Sequence, residues 1–331
     1  MAKRLSCLAI AFVCLFTFVG LGVAADETYY LVFVWPEHDY WKPQIKGAND
    51  AGEWLGVDIK VTGSLDYTAE GVVKSLEQVI AMSPDAIITS GAAAASPEGV
   101  LYVHDEAVES GIAVIITDAD SPESKRFCFI GADQENLGKM AADQLATAIL
   151  AKTGEIAGEV VIEYVPGGGN LEQRANGLTK RIEEAYPNLT VVARINDEGQ
   201  AQVGQTQLMQ LIASHPNLVG IYGAHATAAI AIGAALIETG TVDRIAAVSM
   251  DATPPALALV KDGTIDGLIV QNVYNMGFWA VVAAYNAVHS PELHNPDEDW
   301  EAMGTPPTPV YIDPGCMVIT ADNVADYLGE N

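Results

Sequence analysis

The sequence predicts an α/β protein of two similar lobes, each a parallel sheet flanked by helices. Three observations carry this. Short apolar runs rich in Val and Ile alternate with helical patterns along most of the chain, which is the mark of successive strand–helix–strand units. The chain also repeats itself. "LEQVIAMSPDAIITSG" (76–91) matches "LMQLIASHPNLVGIYG" (208–223) in pattern, and "IKGANDAGEWLGVDIKV" (45–61) matches "ANGLTKRIEEAYPNLTVV" (175–192). Finally, 331 residues, half of them hydrophobic, suffice for two domains with separate cores.

The elements follow in order. Lys3 and Arg4 precede an uncharged, mostly apolar run from Leu5 to Ala25 that closes on Val23-Ala24-Ala25 before Asp26. A positive start, an apolar core and small boundary residues predict a cleaved signal peptide over 1–25. An uncleaved anchor is the alternative, since the run is just long enough to span a bilayer. Cys7 and Cys14 lie inside the run, so no lipid-modified N-terminal Cys is expected. Strands are expected at 29–35, 57–61, 86–89, 112–117 and 127–130, then at 159–164, 190–195, 218–222, 245–250 and 266–270, with helices between most of them. The turn "PEHDYWKP" (36–43) sets Tyr40 and Trp41 between the first strand and a helix marked by Ile45, Ala48, Ala51 and Leu55. Residues 278–288 read as a helix and 289–300 as a polar loop. Residues 310–328 read as strand, turn and strand, with a short terminal helix from Ala321. Asp297, Glu298 and Asp299 lack the loop Gly and alternating ligands of a calcium loop and read as a solvated run.

Charge and motifs exclude several functions. The formal charge is −27, and more negative once Lys3 and Arg4 are removed. Such a surface repels phosphate backbones, so no nucleic-acid partner is expected. Cys128 and Cys316 show no C-x-x-C and no His at metal-ligand spacing. In an oxidising compartment they either pair or remain separate thiols. "GGG" at 167–169 is not a P-loop, and no nucleophile elbow, zinc motif or dinucleotide fingerprint is found. No catalytic residue, metal or cofactor is assigned.

Parallel α/β sheets bind ligands outside the carboxyl ends of their strands. At those ends the sequence places His38, Tyr40 and Trp41, then Ser90, then Asp118 and Asp120. In the second half it places Asn170 and Arg174, then His225, Asp251 and Gln271. Two lobes with facing strand ends enclose a cleft, and Tyr40 and Trp41 are expected to wall it, offering flat faces to the C–H face of a sugar ring. Other readings stay open. The aromatics also suit a lid on the adjacent helix, Asp118 a turn cap, Asp251 a cap before Pro254 and Pro255, and His225 a structural role.

At these residues the chain resembles the periplasmic sugar-binding proteins of the ribose-binding type, the solute receptors of ABC importers. "HDYW" (38–41) is similar to the family's aromatic pair after the first strand and "VIITDAD" (114–120) to its ligand-binding aspartate. "QRANGL" (173–178) is similar to its R-x-x-G-[FL] segment, and "AVSMDATPPALALVKDGTIDGLIVQ" (247–271) to its aspartate–proline segment, helix and return to a hinge-side Gln. There are departures. Ala119 and Asp120 follow Asp118 where many pentose and hexose binders have Arg, and His225 stands where Asn or Asp is commoner. "DAD" and "GAHATAAIAIGAA" look more like the branch that binds rhamnose or autoinducer-2, and Asp251 with Gln271 more like the ribose branch.

The resemblance implies a type I periplasmic binding protein with a hinge crossed three times. The first lobe would hold 26–131 plus 272–309, and the second 132–271 plus 310–331. It also implies that Cys128 and Cys316 lie near each other at the hinge. The function implied is non-enzymatic. A monomeric protein in the periplasm would capture a neutral monosaccharide or polyol and pass it to an ABC permease in the inner membrane. A sensor presenting a sugar-like signal to a membrane receptor and a glycoside-processing enzyme are the rival readings.

Overall fold

The computed structural model describes residues 27–65, 68–91, 97–167, 169–290 and 309–330, so the leader and the 297–299 cluster lie outside the described residues. The first lobe opens with β1 (Thr28–Val34), a 3-10 turn (Asp39–Trp41) and α1 (Lys42–Leu55). It continues through β2 (Asp58–Ser64), α2 (Ala69–Ile80), β3 (Ala86–Ser90), α3 (Pro97–Glu109), β4 (Ala113–Thr117) and β5 (Cys128–Ile130). The second lobe holds α4 (Gln134–Thr153), β6 (Gly158–Tyr164), α5 (Gly169–Ala185), β7 (Leu189–Asn196) and α6 (Ala201–Ser214). After these come β8 (Leu218–Gly223), α7 (Ala228–Thr239), β9 (Ala246–Met250), α8 (Pro254–Lys261) and β10 (Gly267–Gln271). The chain then returns through α9 (Val273–His289) and β11 (Tyr311–Ile312), and crosses again to β12 (Cys316–Ile319) and α10 (Val324–Tyr327).

Two six-stranded sheets result, ordered β11-β5-β4-β3-β1-β2 and β12-β10-β9-β8-β6-β7. Among the described residues every pairing is parallel except β12 against β10. Five strands of one sheet thus correspond in order to five of the other, as the internal repeat predicts. The strands are apolar runs because both faces are covered. In β1, Leu31 and Phe33 face the α1–α9 side, whereas Val32 faces α2 and α3.

Each lobe has one helix pair packed backbone to backbone. A Cβ on Gly47 (α1) would meet the Tyr274 carbonyl of α9, and one on Gly277 (α9) would meet the Gln44 carbonyl of α1. In the other lobe, Gly138 (α4) abuts the Arg174 carbonyl of α5 and Gly177 abuts that of Glu135. The glycines in "QRANGL" and its counterparts therefore serve close helix approach, and through it they fix where Arg174 sits.

Two details differ from the sequence reading, and a third decides between alternatives that it left open. β1 ends at Val34 because Trp35 leaves the extended region with φ 53°. The third crossing lies between Ile312 and Cys316, later than 309/310, since β11 pairs with β5 of the first lobe and only β12 pairs with β10. Cys128 and Cys316 are both free: Cys128 is sealed in the first lobe's core, and Cys316 is exposed with its Sγ 3.5 Å from the Met140 sulfur. Among the described residues no helix is long and apolar enough to cross a membrane.

Candidate functional site

Asp118 directly follows β4 and Asp251 directly follows β9, the equivalent strand of the other sheet. Both adopt left-handed backbone, φ 65° and 66°, and each N–H donates to the carbonyl of the next strand over, Asp118 to Ile130 and Asp251 to Ile269. Asp is among the residues that tolerate this conformation. The duplicated fold thus presents one carboxylate per lobe at matching positions.

A directed hydrogen-bond chain joins the first lobe, the hinge and the second lobe. Arg174 Nε donates to Gln134 Oε1 (2.7 Å), Gln134 Nε2 to Gln271 Oε1 (3.3 Å), Gln271 Nε2 to the Tyr40 hydroxyl (3.2 Å), and Tyr40 OH to Asp118 Oδ1 (2.5 Å). Donors all point one way, from guanidinium to carboxylate, so each bond polarises the next. Arg174 is buried and also donates to the Ala224 carbonyl (3.0 Å). Gln134, the first residue of α4, lies just beyond the first crossing. Sequence reasoning missed it because a Gln opening a helix carries no motif. Gln44 supports the same region by donating to Thr117 Oγ1 (2.8 Å).

Electrostatics set these groups apart from surface acids. Burial pushes the Asp118 carboxyl up, opposed by Arg174 and by hydrogen bonds from Tyr40 and Gln271. Asp251, 6% exposed, is pushed up to about 6 by burial, with Arg174 opposing and Asp118 adding to the rise. Burial, with Asp118 and Asp251 close by, holds the Tyr40 phenol well above its ordinary range, so it stays a donor. Asp251 Oδ1, the Tyr222 hydroxyl and Thr253 Oγ1 are buried without a hydrogen-bond partner. A cavity of about 280 Å³ on the hinge side is lined by Tyr40, Asp251, Thr253, Gln271 and Cys316 among others. A second, of about 330 Å³, opens between Trp35–Asp39 of the first lobe and the starts of α7 and α8.

Several expected site residues sit elsewhere. Trp41 does not wall the cleft. It is 9% exposed, stacks on Phe33 at 4.3 Å and donates Nε1 to the Val34 carbonyl (2.8 Å), making it core. The exposed aromatic at this strand end is Trp35, which the sequence reading absorbed into β1. Asp120 is held by Arg126 in a two-pronged ion pair (2.6 and 2.8 Å) within its own loop. His225 Nε2 lies 3.0 Å from Asp197, a fully buried carboxylate beside the equally buried Glu163, so the ring braces the β8–α7 turn. Burial and neighbouring Asp197 hold the Glu163 carboxyl well above its usual range. His38 caps the 3-10 turn, its Nδ1 accepting from the Tyr40 N–H (3.1 Å), and lines the 330 Å³ cavity. Ser90 closes β3 opposite Thr117, and Asn170 accepts from the Leu171 N–H in the first turn of α5.

A family model described as periplasmic binding protein domain matches residues 29–291. The chain belongs to this family. A xylose/arabinose-binding protein of Sulfolobus acidocaldarius is 25% identical, over 93% of this chain and 78% of its own length. The D-allose-binding periplasmic protein of Escherichia coli is 23% identical over 79% and 86%. Among solved structures, an arabinose-binding protein of Geobacillus stearothermophilus superposes with a TM-score of 0.79 at 31% identity, covering 91% of this chain and 99% of the other. A sugar-binding protein of a sugar ABC transporter from Bacillus halodurans gives 0.82 at 28%, covering 91% and 100%. Periplasmic binding proteins are two-lobed, and here the polar chain and both aspartates converge where the lobes meet.

Proposed function

We propose that this chain is the soluble receptor of an ABC importer. It takes up a neutral, polyhydroxylated ligand of the sugar class between its lobes in the periplasm and hands it to a membrane permease. The observation that carries this is the pair of matched aspartates, Asp118 and Asp251, with one buried guanidinium, Arg174, between the lobes. Carboxylates accept from ligand hydroxyls, Arg174 and Gln271 carry N–H groups that donate to them, and bonds to charged partners are the stronger ones. Two acids against one base disfavour an anionic ligand. The relatives whose names specify xylose, arabinose and allose point to the same class.

A thermal-shift screen against pentoses, hexoses, deoxysugars and polyols tests the reading, because a ligand that binds only the native state raises the melting temperature. At least one neutral sugar is expected to do so and to be recovered unchanged after incubation. No shift with any of them overturns the sugar-class reading, and a converted sugar overturns the receptor reading. Intact-mass measurement on exported protein is expected to show cleavage after Ala25, and light scattering a monomer.

A further inference from the structure

We propose that the cleft accepts a ligand of two linked rings, a disaccharide or glycosidically substituted sugar, with the second ring in the 330 Å³ cavity against Trp35. This rests on the sugar-binding reading of the inner cluster and adds a subsite that the cluster does not use.

Trp35 is the first observation. It is 52% exposed and carries φ 53° although it precedes Pro36. A bulky residue at positive φ is an outlier, and a residue before proline is further restricted toward extended conformations. Such strain persists where the surroundings impose it, and it concentrates at ligand sites. Here the Trp35 N–H donates to the Ser64 carbonyl (2.7 Å) and its own carbonyl accepts from the His38 N–H (2.8 Å), which fixes the turn. The indole is held out of the core, on the wall of a cavity whose far side carries Ile230 and Pro255 of the second lobe.

Thr253 is the second. It is the N-cap of α8, yet its hydroxyl makes no cap bond: Pro255 at the second helical position has no N–H to give, and the hydroxyl does not bond that of Ala256 at the third. Its Oγ1 is buried, 9% exposed as a residue, and without a partner. An unmade hydrogen bond in a buried place is costly, so this hydroxyl is poised for a polar group that arrives with ligand. Thr253 and Asp39 line both cavities. The two cavities therefore adjoin at Thr253 and Asp39, and the proposed ligand would run from Asp251 and Gln271, past Thr253, to Trp35. The chemistry of the outer cavity is that of a sugar ring: an aromatic face for its C–H side, an unspent hydroxyl, and the lining residues Glu37 and Asp39, the latter paired with Lys42. Dry closure of Trp35 onto Ile230 and Pro255 is the competing use of the same surface, and it would leave the Thr253 hydroxyl unsatisfied.

Calorimetry decides between them. Xylobiose and arabinobiose are compared with D-xylose and L-arabinose on wild type, Trp35→Ala and Trp35→Phe, each variant checked for an unchanged melting temperature. The expected result is a two-ring sugar that binds wild type at least as tightly as its single ring. Trp35→Ala should then weaken it by about tenfold, the equivalent of ~1.4 kcal/mol and in the range of one aromatic contact, with the single ring unchanged and Trp35→Phe restoring most of the affinity. Single-ring binding with two-ring exclusion overturns the subsite. Equal weakening of both classes in Trp35→Ala also overturns it, in favour of a closing contact. Binding of neither class overturns the two-ring pentose subsite, whereas the sugar-binding reading itself falls only if the thermal-shift screen of hexoses, deoxysugars and polyols is also blank.

Discussion

Asp251 is buried with its carboxyl pushed up to about 6, and His104, buried in α3 with neither ring nitrogen bonded, has its imidazole pushed down to about 4 by burial. Each gap from the ordinary values of 3.8 and 6.5 corresponds to roughly 3 kcal/mol. The signs are opposite. Asp251 favours the fold fully below 3.8, and that contribution is lost as pH rises through about 6. His104 leaves the fold stable above 6.5, and stability is lost as pH falls toward 4. Urea unfolding across this range should therefore show Asp251→Asn gaining on wild type as pH rises and His104→Leu gaining on it as pH falls. Parallel curves would contradict both assignments. Trp41→Ala should cost about 3–5 kcal/mol of stability, as for any buried Trp, and should not act selectively on ligand affinity. Which aromatic of "WPEHDYW" faces the cleft was not legible in the sequence. The φ of Trp35 and the 3-10 turn at 39–41 set the phase, and both depend on contacts with Ser64 and Phe33 far along the chain or across the core. The positions of Asp118 and Asp251 at strand ends were legible because each follows a short, mostly apolar run, AVIIT before the first and AAVSM before the second.

At the scale of elements, the two glycine seams make a sharp prediction. Gly277→Ala puts a methyl group against the Gln44 carbonyl, so α1 and α9 must move apart, at a cost of about 1–3 kcal/mol or more. Chemical denaturation of the variant measures this, and a neutral result would mean the seam is not close-packed in solution. Gln134→Leu interrupts the donor chain at its second member, leaving the Arg174 Nε–H and the Gln271 Oε1 without their partner. Losing that charged contact should lower stability by about 1.5–3 kcal/mol, detectable in the same unfolding curves. The long strands and helices were readable from periodicity, since burial on both faces enforces unbroken apolar runs. The reading of 310–328 as strand, turn and strand anticipated β11 and β12 but not their sheets: two residues carry no period, and the allegiance of β11 to the first sheet is decided by pairing with Phe129 and Ile130.

For the whole molecule, contacts on both lobes imply hinged closure on ligand, and small-angle scattering with a saturating sugar should show a smaller radius of gyration. An unchanged profile would mean a rigid cleft. The repeat made the two-lobe plan visible, but no local signal marks where a chain leaves one sheet for the other. The return of α9 also bears on the order in which the protein can assemble. The second lobe draws its five parallel strands from one continuous stretch, Gly158–Gln271, whereas the first lobe's core contains Met276, Ala280, Val281 and Ala284 of α9. A chain synthesised N-terminus first therefore offers β1–β5 long before the helix that covers Leu31, Phe33 and Ile115 exists. The first half synthesised is the last to be finished, and until α9 arrives its apolar sheet face is the surface a chaperone must guard.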